Sequence, residues 1–146
     1  MLKKVVVILA ILLLLFVGYR IYRLDDANAK VAEEIRLNPD GERAQRTMLI
    51  TLADGRMYPV NYLREDNLVF MGIDGRWWRA FKGEGQPVEM LIQGEPLFGH
   101  AVAVTDDPEY TADVFSRLRP KVPAWLPDWL NGTLVVITLR PQRLGP

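Results

Sequence analysis

Thr47-Met-Leu-Ile-Thr-Leu52, Ala53-Asp-Gly-Arg56, Met57-Tyr-Pro-Val-Asn-Tyr-Leu63 is the stretch that decides the fold. Two apolar-rich runs of strand length flank a turn centred on Asp54-Gly55, which is a strong short-range signal for an antiparallel hairpin. Pro59 has no amide proton to give a ladder, so the second strand is expected to lie at an edge or a bulge there. Arg64-Glu-Asp-Asn67 then turns the chain into Leu68-Val-Phe-Met-Gly72, and three consecutive strands make a meander.

The same punctuation continues downstream. After the loop Ile73-Asp74-Gly75, Arg76 to Lys82 has the length of two helical turns, with Asp74 placed to cap its first amides and Gly83-Glu84-Gly85 ending it. Val88 to Ile92 and Leu97 to Val104 read as two strands around Gln93-Gly94-Glu95-Pro96. Asp106-Asp107-Pro108-Glu109 has the form of a helix start, with proline and acid in the first turn. Tyr110, Val114, Phe115 and Leu118 then share one face, Pro120 and Pro123 stop the helix, and Thr133 to Leu139 is a last β-branched strand. Six strands with two short helices interposed predict a mainly β (α+β) domain over residues 46–146, a small six-stranded antiparallel barrel decorated by helices, which the resemblance given below makes a split β-barrel.

Upstream, the chain changes character. Val5 to Gly18 is apolar and free of charge. Extended to Tyr22 it gives ~27 Å of helix, against the ~30 Å hydrocarbon core of a bilayer. Tyr19 and Tyr22 stand where interfacial aromatics belong, and Arg20 and Arg23 are placed to snorkel toward head groups. A cleaved signal is the rival, since Ala27-Asn28-Ala29 has the small-x-small form that signal peptidases accept. That site lies well beyond the apolar core, across two arginines and two aspartates, which favours a retained single-pass transmembrane helix at 1–24 and a membrane localisation. Lys3 and Lys4 argue for an inward N-terminus, while Arg20, Arg23 and Lys30 pull the other way, so the side of the membrane stays open. Residues 25–45 are expected to form a helical connector, starting at Asp25-Asp26 and broken at Asn38-Pro39-Asp40-Gly41.

Charge and composition narrow the function. The 146 residues carry 18 basic and 18 acidic side chains, one histidine and no cysteine. Lys3 and Lys4 precede the apolar block, so the remainder is slightly acidic, which argues against a nucleic-acid partner. Thiol catalysis and Cys-ligated metals are excluded. There is no Gly-x-Ser-x-Gly elbow, no phosphate-cradling Gly-x-x-x-x-Gly-Lys loop and no His/Glu pair at metal spacing, so no catalytic residue and no metal site is assigned. His100, between Gly99 and Ala101 on a strand, reads as a hydrogen-bonded structural residue. Asp106, Asp107 and Glu109 compensate a helix N-terminus rather than hold a metal.

Arg76-Trp77-Trp78-Arg79-Ala80-Phe81-Lys82 is the distinctive segment. On a helix Arg76, Arg79 and Lys82 recur along one stripe, and Trp77 and Phe81 fall on another. Aromatic faces beside cations at a helix N-terminus suit a flat anionic ligand such as a phosphorylated flavin; equally, the aromatic residues suit the barrel core, with the cations solvated. Pro123 to Leu130, with Trp125 and Trp129, reads either as a loop stapled to the core or as one that closes over a ring or dips into a membrane interface.

Trp77 to Met90, followed by a strand, a turn and Asp107-Pro108-Glu109, resembles the core of the deazaflavin-dependent nitroreductase family, which commonly shows Trp-Trp-Arg-Asn-Leu-Arg-Gly-Gly-Ala-Pro-Val at this place. Thr51 to Tyr62 is similar to that family's first hairpin, and the likeness runs from about Thr47 to Leu139. The resemblance implies an FMN-binding-type split barrel that uses the 8-hydroxy-5-deazaflavin coenzyme or FMN. It implies hydride transfer to a lipophilic acceptor, quinone-like or nitro-aromatic, and a homodimer as a common assembly. It places the coenzyme near Gly72 to Lys82, with Arg76 and Arg79 at anionic groups, Trp77 or Trp78 as an apolar wall, and Tyr58 and Asn61 of the hairpin beside them. Two departures are plain. The family's basic loop, Thr-x-Gly-Arg-Lys-Ser/Thr-Gly, is shortened here and carries Asp54, and the family's Asn after Trp-Trp-Arg is Ala80. A carboxylate beside a phosphate opposes binding. A barrel that has lost its cofactor and serves as a membrane-tethered interaction module is the alternative.

Overall fold

The computed structural model describes residues 1–123, 125–127 and 130–141. Six antiparallel strands close into a barrel in the order β1-β2-β3-β6-β5-β4. They are β1 (Thr47–Leu52), β2 (Met57–Glu65), β3 (Leu68–Ile73), β4 (Gln86–Ile92), β5 (Glu95–Val104) and β6 (Thr133–Leu139). The expected meander is present, β4 and β5 form the second hairpin, and β6 seals the barrel between β3 and β5.

Strand alternation sorts the side chains. Met48, Ile50, Met71, Met90 and Ile137 point inward with Phe81 at their centre. The outward residues meet three helices. Leu49 packs under Ala32 and Ile35 of α1 (Leu2–Leu37) and Ala44 of α2 (Glu42–Arg46), while Phe70 and Leu134 pack under Val114 and Phe115 of α3 (Pro108–Leu118). Tyr110, expected on that buried face, is exposed at the first turn of α3, where the helix has not yet reached the sheet.

Pro59 behaves as its chemistry requires. Met57 to Asn61 pair with β1, and only from Tyr62 onward does β2 pair with β3, so Pro59 sits where one side of its strand is unpaired.

Upstream of the barrel, the expected break between anchor and connector is absent. Nothing between Gly18 and Leu37 stops a helix, and Asp26, rather than starting one, sits in mid-helix and pairs with Lys30 at 2.8 Å. One helix of 36 residues results, ending at Asn38. Its apolar part has a mean hydropathy of 2.6 and none of it is buried, so it is long and apolar enough to cross a membrane. Its last turns are docked on the barrel through Ala32 and Ile35.

The Arg76 segment also departs from expectation. It is a 3-10 helix over Arg76–Phe81, and Gly75, not Asp74, occupies its cap position without a side-chain bond. The tighter 3-10 winding suits a short crossover, and it sends Phe81 fully inside the barrel. Asp74 instead accepts a hydrogen bond from Arg119 at 3.1 Å.

Candidate functional site

The β1–β2 turn and the crossover from β3 to β4 lie at the same end of the barrel, and Gln86 ties them together. Its side chain donates to the Ala80 carbonyl at 2.8 Å and accepts from the Ala53 amide at 3.1 Å. Gly85 makes this close approach feasible: its φ is +69°, and a Cβ there would collide with the Ala101 carbonyl. His100 anchors the same loop through a hydrogen bond between Nε2 and the Glu84 carbonyl, the structural role expected of it.

Held in this way, Trp77 meets Tyr58. Their rings stack with centroids 4.2 Å apart and an interplanar angle of 12°. Phe81 supports Trp77 from within in an edge-to-face contact at 6.0 Å. One cation touches this aromatic shelf, and two more lie on the Trp77 segment. Arg56 Nη1 donates to the Tyr58 hydroxyl at 3.4 Å, and Arg76 and Arg79, exposed, flank Trp77 in sequence. Asp54 binds Arg56 through both its backbone amide at 3.0 Å and its Nε at 2.7 Å. The amide bond, more than the guanidinium, holds the Asp54 carboxyl below its ordinary range, and the Asp54 bond in turn raises the Arg56 guanidinium. Asp54 therefore does take up the cation of the shortened loop.

The second tryptophan looks elsewhere. In a helix of three residues per turn, neighbours are a third of a turn apart. Trp78 accordingly faces a cavity of about 470 Å³ between the barrel end and α3, which Phe115, Leu134 and Asp106 also line. Lys82 Nζ lies 5.3 Å from the centroid of the Trp78 ring.

Of the six residues expected to bind a coenzyme, then, Tyr58 and Trp77 are brought into contact, Arg76 and Arg79 are exposed on the same short segment as Trp77, and Trp78 belongs to a different space. Asn61 does not join them. It is an odd number of residues from Tyr58 on one strand and so points to the other face, where its Oδ1 accepts from the buried Thr47 hydroxyl at 2.8 Å. The helix N-terminus expected to meet an anion is also absent, since a six-residue 3-10 turn supplies none. Arg56 stands in the turn just before β2, two residues from Tyr58, and no motif signals their contact. The cavity residues around α3 carried no signal beyond helix capping. Trp125 is 78% exposed rather than stapled to the core, and Trp129 lies outside the described residues.

The chain matches no protein-family model and no curated protein. Among solved structures it is similar to a candidate pyridoxamine 5′-phosphate oxidase of Listeria innocua, at 13% identity and a TM-score of 0.41, covering 82% of this chain and 93% of that one. It is similar to an FMN-binding protein of Syntrophomonas wolfei subsp. wolfei at 12% identity and a TM-score of 0.38, covering 90% and 99%. A FAD-binding protein of Mycobacterium smegmatis shares 16% identity at a TM-score of 0.37, covering 76% and 89%. The closed six-stranded barrel of this chain stands on its own strand pairing.

Proposed function

We propose that this chain is a membrane-anchored reductase whose barrel holds a flat anionic coenzyme of the flavin class, FMN or the 8-hydroxy-5-deazaflavin coenzyme, on the Tyr58–Trp77 shelf. The observation that carries this is the parallel stack of Tyr58 and Trp77 with the Arg56 guanidinium on the Tyr58 hydroxyl, and Arg76 and Arg79 exposed on the six-residue segment that bears Trp77. An aromatic face offers a ring system its stacking surface, and guanidinium groups meet phosphate in a charge-assisted, bidentate way. The donor set thus fits the group, with Asp54 as the one opposing charge. Such a coenzyme supplies the hydride chemistry when bound, and the protein's part is to hold and orient it. Phe81 fixes the shelf from below, and Gln86 locks it to the hairpin.

The anchor supports a lipophilic acceptor, quinone-like or nitro-aromatic. Between Tyr22, the end of the apolar stretch, and Val31, which packs against the barrel, lies only about 14 Å of continuous helix. A barrel carried so near the bilayer draws its substrate from the lipid phase. Arg23 stacks over Tyr19 at 5.9 Å, an arrangement suited to the head-group region.

The Asp54–Arg56 pair favours the second reading, a tethered interaction module without a cofactor. The experiment that separates them uses the full chain in lipid nanodiscs, titrated with FMN and with the deazaflavin coenzyme while tryptophan fluorescence is followed. Quenching that saturates at micromolar concentration for either ligand is expected. No saturable quenching by either ligand overturns the reductase reading and leaves the module.

A further inference from the structure

We infer that the cavity behind Trp78 is a binding site for an uncharged, planar, ring-sized molecule bearing acceptor oxygens, a site separate from the coenzyme shelf and independent of that proposal. At about 470 Å³ the cavity is of the size that takes small ligands. Its walls are largely apolar, with Trp78, Phe115, Val104, Pro108 and Leu134 among the lining residues. Thr105, Thr111 and Thr133 bring hydroxyls to the same space, which are the donors a carbonyl or ether oxygen needs.

Charge decides what enters. Asp106 and Asp107 line the cavity, and among the described residues no cation does. An anion would have to approach two carboxylates. The first turn of α3 compensates this little, because Asp107 Oδ1 already accepts the Tyr110 amide at 3.0 Å and the Asp107 carbonyl accepts that of Thr111 at 3.1 Å. A cation is disfavoured for a different reason. Both aromatic walls already have one: Lys82 sits 5.3 Å from the Trp78 ring and Arg119 sits 5.2 Å from the Phe115 ring. A further positive charge against those rings would be repelled by the two already placed there, and since these two cations offset the two carboxylates, the space as a whole favours neither sign. An uncharged ring that stacks on Trp78 meets neither objection.

The test is isothermal titration of the full chain in nanodiscs, without coenzyme and with empty nanodiscs as the blank. The probes are coumarin, its anionic 3-carboxylate and the cationic 1-methylquinolinium. Coumarin is expected to bind with a micromolar Kd, and each charged probe at least tenfold more weakly. Ala112 is exposed on α3 and borders the cavity, so Ala112→Trp fills it without burdening the core. That variant should weaken coumarin at least tenfold, as should Thr111→Phe, which fills it from the preceding residue. Arg79→Ala should leave coumarin binding unchanged, which separates this site from the shelf. The inference is overturned if coumarin shows no binding above the blank, if either charged probe binds as tightly, if both filling variants that retain the wild-type melting transition bind coumarin normally, or if Arg79→Ala abolishes binding.

Discussion

Trp77 and Trp78 are adjacent in sequence and face different surroundings. Trp77 stacks on Tyr58, whose hydroxyl accepts from Arg56, while Trp78 lines a space bordered by Asp106 and Asp107 and has Lys82 at its ring. The difference comes from backbone geometry. An α-helix would separate the two residues by 100°, and a 3-10 turn separates them by 120°, but what assigns each side is Phe81, which is pinned inside the barrel and fixes the rotation of the whole segment. One buried ring thus sets the identity of two surfaces.

The most severe way to break the comparison is to remove that ring. Phe81→Ala should destabilise the barrel by ~3–5 kcal/mol, the range for truncating a buried aromatic, read from chemical denaturation. It should also abolish the distinction between shelf and cavity, so that coumarin and flavin titrations both lose their saturable component. A variant with wild-type stability and both sites intact would show that something other than Phe81 orients the segment.

Arg119 offers a more selective cut. Its side chain is 24% exposed and donates to the Gly72 carbonyl at 3.1 Å, the Asn131 carbonyl at 2.7 Å and Asp74 at 3.1 Å, joining the ends of β3 and α3 to the entry of β6. Arg119→Ala should cost ~1–3 kcal/mol in denaturation, as expected when carbonyls lose a charged donor. Because Phe115 and Asn131 border the cavity, coumarin binding should weaken while flavin affinity stays within twofold. Equal loss on both sides would show that the two surfaces are mechanically one.

These dependencies explain how far the sequence could be read. The hairpins and the six strands were legible because turn residues and alternating apolar residues are local signals, and the barrel follows from them. The capping role of Asp107 was legible for the same reason. What could not be read locally was the partner of each side chain. Asp74 has the right spacing to cap the next helix, yet Arg119, 45 residues away, takes it. Asn61 belongs to the same hairpin as Tyr58, but strand alternation puts it on the far face beside Thr47. Trp78 shares a motif with Trp77, and only the position of α3 shows that a cavity lies over it. Helix type was misread because six residues between two strand-bound ends must wind tightly, a constraint that tertiary closure imposes and periodicity does not reveal.

On the shelf side, Arg79→Ala should weaken the coenzyme by ~1–3 kcal/mol, or roughly 5- to 150-fold in Kd, the loss of one charge-assisted contact. Coumarin serves as the internal control. If flavin affinity is unchanged while the protein remains folded, the anionic part of the coenzyme lies against Arg56 or Arg76 instead.

The smallest effect sharpens the comparison most. Asp54 is the one carboxylate that intrudes on the cationic side, so Asp54→Asn should free Arg56 and tighten an anionic coenzyme by about two- to fivefold, as expected for an exposed charge. The pH dependence carries the sign. The bond from the Arg56 amide favours the ionised carboxylate and holds its pKa below the ordinary carboxylate range, so its contribution to the turn is complete above the unfolded pKa and is lost only as pH falls through the lower folded one. Between about pH 5 and 8 Asp54 stays charged. The advantage of Asp54→Asn over wild type should therefore persist across that window in paired titrations. An advantage that disappears on approaching pH 5 would require a raised carboxyl pKa, which the Arg56 contacts oppose, and would mean that the Asp54–Arg56 pair opens when the coenzyme binds.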